Sequence, residues 1–533
     1  MTGAVVAFVA LAGCAAVVAG APASRHPDRV GVDPAVSLTL DKHVLQRSGE
    51  RVVVSWAGVR SPSNADRVAL YSPARAILEP HLHAPAKYRL ANASASHYGT
   101  GSGSLLFTVL NLRADLVFAF VDGDNVVIGR SDPVAFADIS EPLAPRWSFW
   151  SPNQYLFSWT SAATADPVVV IDDGVVVNAT TVTYTRGDMC GAPAATVGWI
   201  DPGHIHRAVV SGVRPGSLVR YRFGSASGPL SEEMGFHVPS DRHARFFVFG
   251  DLGTADPDNS SSALWTEPVS LQTTRRVVDD AGGEFVLHIG DLSYALGYLS
   301  EWDAFHHQIS PISSRMPYQV AVGNHEFDDD DSGGECGVPY SRRFPSTSGS
   351  NWYAFDAGPV HIVVMSTEED FGVGSEQHEF LSGDLLGVDR RKTPWVIVAG
   401  HRPFYVDSTW DVGEMSDIVF ATRLQRELGD LLHSARVDLA VWGHNHSYQR
   451  TCPVHNSTCT AGAPVHIVVG TAGCELTRNG RPTPPSWLAR RIDAFGYGRV
   501  DASRTRLAFE FVRDDDGSVA DRVTLSKDRV AVT

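Results

Sequence analysis

The amino-acid sequence predicts a multidomain protein in which all-β sandwich domains precede an α/β sandwich with two central sheets flanked by helices. Three observations carry this. At 533 residues the chain exceeds what one hydrophobic core usually serves, so two to four domains are expected. Residues 30–240 read as short apolar runs bounded by Gly, Pro, Asn or Asp, among them RVVVSWAG, SLLFTVLNL, LVFAFVDG, QYLFSWTS, VVVIDDG and LVRYRFG, which fit β-sandwiches. From about residue 244 apolar runs alternate with helical stretches such as ALWTEPVSLQTTRRVVDDAG, SEQHEFLSGDLLG and FATRLQRELGDLLHSA. That alternation implies parallel strands with crossover helices.

Four segments follow in order. Residues 4–21 form an apolar run followed by APAS, read as a signal peptide over 1–23, cleaved near Ala21 or Ala23, rather than as an uncleaved anchor. Its n-region lacks Lys and Arg. A first β-sandwich is expected over 24–140 and a second β domain over 141–240, with the boundary in EPLAPRW at Pro142 and Pro145. Neither holds a cluster of ligands or nucleophiles, so both read as scaffold. The α/β domain takes 241–533. Within it YAFDAGPVHIVVMST, VHIVVG and RLAFEFVR lack long helices between them and are expected to build the second sheet.

Composition narrows the partners. Apolar residues make up 43% and charged residues 20%, ordinary for a folded soluble protein. Lys+Arg 44 against Asp+Glu 60 gives a net charge of −16. Nucleic acid polymers reward basic surfaces, so they are excluded as non-specific partners. An anionic substrate must be drawn in by a local positive centre instead. No second run is long and apolar enough to span a membrane, and the C-terminus is too polar for a lipid-anchor signal.

Cysteines and sequons point to an oxidising compartment. Cys14 leaves with the signal peptide, and Cys452 and Cys459 bracket a short loop that suits a disulfide. Cys190, Cys336 and Cys474 are odd in number, so at least one is expected to be free or to pair between chains; a homodimer stays open. Sequons stand at Asn92, Asn178, Asn259 and Asn456. A fifth, at Asn445, lies inside a site motif and is expected to be unglycosylated.

Chemistry concentrates in one pattern, repeated five times: an apolar strand, a glycine, then a metal-capable polar residue. The segments are FFVFGD (Asp251), FVLHIGD (Asp291), YQVAVGNH (Asn324), WVIVAGH (His401) and LAVWGHNH (His444 and His446). Glycine lets the chain turn sharply, and ligands of open α/β sheets sit beyond the carboxyl ends of the strands. Carboxylate, amide oxygen and neutral imidazole suit hard or borderline cations, and there is no thiolate set for structural zinc. Tyr294, three residues after Asp291, offers a hard phenolate that favours a ferric ion. His325, directly after Asn324, is placed to bind phosphate, to steady developing charge or to protonate the leaving oxygen. The acidic run at 327–331 reads as a solvated loop, and Tyr448 and Arg450 as supports for the GHNH loop.

GDLG, GDLSYA, GNHE, AGHRP and GHNHSYQR, in this order, resemble the five-motif signature of the purple acid phosphatases, which belong to the calcineurin-like metallophosphoesterases. FGYG at 495–498 resembles the family's C-terminal segment, and QYLFSWTS the start of its fibronectin-type-III-like domain. GGECGVPYS and YTRGDMCGAPA look like a larger plant-type subgroup with an extra N-terminal domain. Gly253 stands where generic metallophosphoesterases carry histidine, as in the branch whose tyrosine completes the site. The resemblance implies a ferric ion on Asp251, Asp291, Tyr294 and His446. It implies a divalent partner (zinc, manganese or iron) on Asp291, Asn324, His401 and His444, with Asp291 bridging. Ions about 3.5–4 Å apart can clamp a phosphoryl group and generate hydroxide.

Departures matter. Well-studied plant members carry further histidines shortly after the position of GHRP, where this chain offers Arg402, Tyr405 and Asp407. Asn324, His325 and Arg402 are therefore the expected substrate-binding residues, and the general acid stays open beyond His325. The expected activity is acid hydrolysis of small phosphate monoesters or anhydrides, secreted or in the secretory or vacuolar lumen. The alternatives are a nucleotide pyrophosphatase/phosphodiesterase at the same metals, and a non-catalytic binding protein built on the β domains.

Overall fold

The computed structural model describes residues 26–162, 165–172, 174–261, 266–280 and 282–527. The expected signal peptide, with Cys14, lies outside the described residues. In the first β domain, strand Glu50–Ala57 pairs with Ser37–Leu40 on one side and Gly103–Val109 on the other. They face a five-stranded sheet centred on Val117–Val121 and Arg67–Tyr71. Alternation along Glu50–Ala57 turns Val52, Val54 and Trp56 inward against Leu70, Phe107, Phe118 and Phe120. The second β domain packs two four-stranded sheets, with Leu143–Ser151 the first strand. Its core is aromatic: fully buried Trp147 stacks on Phe236 at 4.1 Å and meets Tyr221 edge-on at 5.2 Å.

In the α/β domain, one six-stranded sheet runs Tyr318–Ala321, Phe285–Ile289, Ala244–Phe249, Gly496–Ala502, Arg506–Arg513, Val519–Ser526, the first three parallel. An eight-stranded sheet carries Val360–Val364, Trp395–Ala399, Leu439–Trp442 and Val465–Val469 in parallel at its centre. Strands buried on both faces read as near-continuous apolar runs. FVLHI, WVIVA and LAVW are buried at every position.

The two sheets pack face to face through Val248, Leu287, Ile289, Ile362, Ile397, Val441 and Ile467. Helices Pro268–Asp279 and Ser300–Ser313 cover the outer face of the first sheet, burying Val277, Trp302, Phe305 and Ile309. Glu376–Gly387 and Asp417–Ser434 cover the second with Leu381, Leu385, Leu424 and Leu428. Ser375 caps the first of these by accepting from His378 N–H at 3.1 Å. No helix among the described residues is long and apolar enough to cross a membrane.

Two sequence expectations change here. RLAFEFVR belongs to the first sheet, not the second, because Arg506–Arg513 pairs antiparallel with Gly496–Ala502. Cys190 and Cys336 form a disulfide within the chain, beside the expected Cys452–Cys459 bridge. No described cysteine is free. The two bridges account for four of the five described cysteines, and Cys474, the fifth, belongs to neither.

The β domains are tied to the α/β domain by specific contacts. Arg113 forms a bidentate pair with Asp303 at 2.7 Å for both bonds. Around the Cys190–Cys336 bridge, the backbone N–H of Cys190 donates to Gly334 C=O at 3.0 Å and that of Ala194 to Gly333 C=O at 3.1 Å. The four sequon asparagines 92, 178, 259 and 456 are exposed, whereas Asn445 is buried and its amide donates to Asp417 Oδ2 at 3.0 Å.

One titration away from the strand ends has a definite sign. His361 lies 2.7 Å from both Asp356 and Asp384. Burial opposes its charging, but the two carboxylates push it up to about 9. A histidine raised above its unfolded value of about 6.5 contributes stability that is full below that pH and lost as pH rises through the folded value. Melting temperature followed from about pH 5 to 10 is expected to decline between about 6.5 and 9, and His361→Gln to flatten that decline.

Candidate metal centre

All five glycine-turn segments end at one place. Strands Ala244–Phe249, Phe285–Ile289 and Tyr318–Ala321 deliver Asp251, Asp291 and Asn324 from the first sheet. Trp395–Ala399 and Leu439–Trp442 deliver His401, His444 and His446 from the second. The site therefore lies across the carboxyl ends of two packed sheets rather than one.

The turns are tight enough to force unusual backbone. Asp251, Asp291, Tyr294 and His444 have φ of 62°, 51°, 50° and 66°. Such left-handed residues cost roughly 1–3 kcal/mol each and persist where surrounding structure over-determines them. Gly290 sits at φ 90°, and a Cβ there would lie 2.5 Å from His401 Nδ1. At Gly323 a Cβ would lie 2.2 Å from Asp291 Oδ1. Both glycines are required by the approach of a neighbouring ligand loop.

The side chains fall into two groups sharing Asp291. Ligand atoms of Asp251, Asp291 and His446 lie within 4.8 Å of one another, as do those of Asp291, His401 and His444. Tyr294 Oη completes the first group, 3.3 Å from Asp251 Oδ1, 3.2 Å from Asp291 Oδ2 and 3.1 Å from His446 Nε2. Asn324 Oδ1 completes the second, 3.0 Å from His401 Nε2 and from His444 Nδ1.

These residues fit a pair of cations. His401 Nδ1 donates to Ile289 C=O at 3.0 Å and His446 Nδ1 to Glu475 C=O at 2.6 Å. Each ring thus turns its Nε2 lone pair inward. There it meets oxygen lone pairs: Asp291 Oδ2 is 3.2 Å from His401, and Asp251 Oδ1 is 3.2 Å from His446. Acceptors facing acceptors in a buried site need positive charge between them. Burial works against charge on both partners, yet the His401 imidazole holds Asp291 well below the usual carboxylate range, and Asp291 pushes His401 up to about 10. Burial, Asp291 and Asp251 push the Tyr294 phenol well above its ordinary value, so only a strong cation would release its proton. His444 Nε2 accepts from Arg402 Nη1 at 3.2 Å. Ligation through Nδ1 requires the other tautomer, whose Nε2–H faces Asp417 Oδ1, 3.8 Å away.

Of the residues expected to bind substrate, His325 sits at the rim. Its ring packs on Tyr294 at 4.6 Å, Nδ1 donates to Asp331 C=O at 3.0 Å, and Nε2 turns to within 3.8 Å of Asp291 Oδ2. Arg402 also reaches the site, but Glu368 at 2.8 Å and Asp328 at 3.2 Å hold its guanidinium. Tyr405 does not: it packs on His466 and Trp487. Asp407 does not either, since Arg491 and Gln449 bind it. Tyr448 and Arg450 support the GHNH strand by joining Asp521 across the sheets, at 2.8 and 2.7 Å.

The acidic run is only partly a solvated loop. Asp329 and Asp330 are exposed, but Asp328 turns to Arg402 and Asp331 accepts from Asn324 Nδ2 at 3.0 Å. Sequence reasoning also missed Glu326, although GNHE contains it. Its buried carboxylate accepts from the backbone N–H groups of Asp291 at 2.9 Å, Leu292 at 2.7 Å and Gly323 at 3.1 Å. It fastens one ligand loop to the next. Glu368 carries no local signal of this kind.

Twin sheets under helices, with carboxylate, amide and imidazole donors on their carboxyl ends, define a metallophosphoesterase. Residues 244–448 match the family model described as calcineurin-like phosphoesterase, and 463–522 that of iron/zinc purple acid phosphatase-like protein C. Residues 42–138 match the Fn3-like domain from purple acid phosphatase, so that likeness falls on the first β domain, whereas QYLFSWTS lies in the second. "Probable inactive purple acid phosphatase 1" of Arabidopsis thaliana is 36% identical, over 89% of this chain and 84% of its own. "Nucleotide pyrophosphatase/phosphodiesterase" of Hordeum vulgare is 37% identical, over 53% of this chain and 83% of its own. Purple acid phosphatase PPD1 from yellow lupin (Lupinus luteus) seeds superposes with a TM-score of 0.87 at 32% identity, over 93% of this chain and 97% of that one. The chain belongs to the purple acid phosphatase family.

Removing Glu326 isolates its part. Glu326→Ala strands three backbone donors and is expected to weaken metal retention about 10–100-fold with circular dichroism unchanged. Competition against a graded chelator measures this.

Proposed function

We propose that this chain is a metal-dependent acid phosphatase that hydrolyses small phosphate monoesters or anhydrides at a dinuclear centre. The observation that supports this most is the convergence of Asp251, Asp291, Tyr294, Asn324, His401, His444 and His446 into two donor groups sharing one carboxylate. A ferric ion with Tyr294 and a divalent ion (zinc, manganese or iron) with Asn324 would supply Lewis acidity and the local positive charge that an acidic chain lacks.

The chain's own residues supply orientation and proton transfer. Asp331 holds Asn324 through its amide and His325 through Nδ1. With Nδ1–H committed, donation from His325 Nε2 requires the imidazolium. Nε2 is then the donor for a phosphoryl or leaving oxygen. Arg402, fixed by Glu368 and Asp328, keeps a guanidinium beside His444 and contributes positive field at the substrate's phosphate. Residues 1–23 and the exposed sequons support placing the protein in the secretory pathway or outside the cell.

The printed name of the Arabidopsis relative includes "inactive". This chain retains the whole donor set, which favours activity. The name of the Hordeum vulgare relative supports the second reading, nucleotide pyrophosphatase/phosphodiesterase activity at the same centre. Comparing nitrophenyl phosphate with a bis-ester separates the two.

Elemental analysis with an absorption spectrum and an acid phosphatase assay test the proposal. A visible tyrosinate-to-iron band is expected, Tyr294→Phe should abolish it, and His325→Ala should lower kcat on the order of 10²–10⁴-fold. Absence of both metal and activity after reconstitution with iron and zinc overturns it.

A further inference from the structure

Away from the metal centre, strand Leu143–Ser151 carries a cation into the seam between the second β domain and the α/β domain. Arg146 is only 2% exposed. Its guanidinium stacks on Phe344 at 4.3 Å, and its Nη2 donates to Ser158 Oγ at 3.0 Å and to Arg343 C=O. Each of those partners is neutral. Among the described residues Arg146 has no ion pair, and the charged group that acts on it most is Arg207, another cation. Burial and Arg207 pull Arg146 down to about 9, which still leaves it charged at neutral pH.

The surroundings add positive charge rather than remove it. Arg207 and Arg343 each keep a buried Nε without a hydrogen-bond partner. Burial, together with Arg343, Arg146 and Arg113, holds His306 well below its ordinary value, so that ring stays neutral. Glu335 attracts Arg343, but it accepts from Trp302 Nε1 at 2.8 Å and from Gly297 N–H at 2.9 Å, and burial pushes its carboxyl up to about 7. A buried guanidinium without a counter-charge is costly, because it has lost its hydration and gained no opposite charge.

Arg146 lines a cavity of about 20 Å³ at this seam, and it is the one charged side chain among the described residues in the wall. The wall's oxygen atoms are largely spent elsewhere. Gln319 Oε1 accepts from Phe149 N–H at 2.8 Å, Tyr353 Oη donates to Val320 C=O at 2.8 Å, and Ser346 Oγ donates to Ser350 C=O at 2.6 Å. A space of this size admits one particle about as large as a water molecule. Water there would accept from the guanidinium but leave its charge uncompensated, and a tetrahedral oxyanion is too large.

We propose that the cavity beside Arg146 binds one monatomic anion, chloride, which clamps the second β domain to the α/β domain. The anion accepts from the guanidinium and offsets its charge where no carboxylate does. The site is independent of the phosphatase reading.

Two measurements on the full-length protein test this. Melting temperature is followed as sodium chloride replaces sodium gluconate at constant ionic strength. A saturable rise of about 2–4 °C is expected, and Arg146→Met should abolish it. Crystals of the wild type soaked in sodium bromide should show an anomalous peak in the cavity, in contact with the Arg146 guanidinium; this result stands even where the variant fails to fold. No chloride-specific rise in the wild type, or a rise that survives Arg146→Met, overturns the inference. So does bromide-soaked density that holds only water at the guanidinium.

Discussion

A single carboxylate at the seam between two sheets, Asp291, is the constraint around which the α/β domain is arranged. It is 1% exposed, and its Oδ2 lies 3.2 Å from both Tyr294 Oη and His401 Nε2. Its Oδ1 accepts from His325 N–H at 3.1 Å. A charge so deeply buried is tolerable only when every lone pair has a partner. Each neighbouring loop accordingly delivers one. Glycine at 290 and 323 and left-handed backbone at 251, 291, 294 and 444 are the local consequences of bringing that many donors to one point.

That convergence depends on support well outside the ligand set. Glu326 fastens the Asp291 loop to Gly323, and Asp331 orients both Asn324 and His325. The segment carrying Asp331 is in turn held from outside the domain. Cys190 bridges to Cys336, and the backbone of residues 190–194 binds Gly333 and Gly334. The second β domain, bland by composition, thus braces the loop that holds Asn324 and His325. Arg113 ties the first β domain to the α/β domain through Asp303 at the start of helix Ser300–Ser313.

Much of the candidate site was legible because its signals are local. A glycine must follow each strand for the chain to turn, and the ligand comes next, so strand, glycine and donor are adjacent in sequence. Glu368 and the Asp328–Arg402 pair were not legible, since each acts on a residue brought near only by folding. Tyr405 and Asp407 show the converse: both neighbour Arg402 in the chain, yet they turn toward His466 and Arg491. Register in the extended segment after His401, not proximity, decides which side chain meets the ligands.

By itself the sequence determined the β-to-α/β order, the doubly buried strands, the seven donors and the disulfide of Cys452 with Cys459. These depend on patterning over a few residues, which local sterics and burial impose. Only the tertiary structure decided that strand Arg506–Arg513 joins the first sheet, that Cys190 pairs with Cys336 across 146 residues, and that Asp328 and Asp331 turn inward from an acidic run. Those outcomes follow from which distant surfaces pack together, and a pairing between remote segments leaves no trace in the spacing of either one.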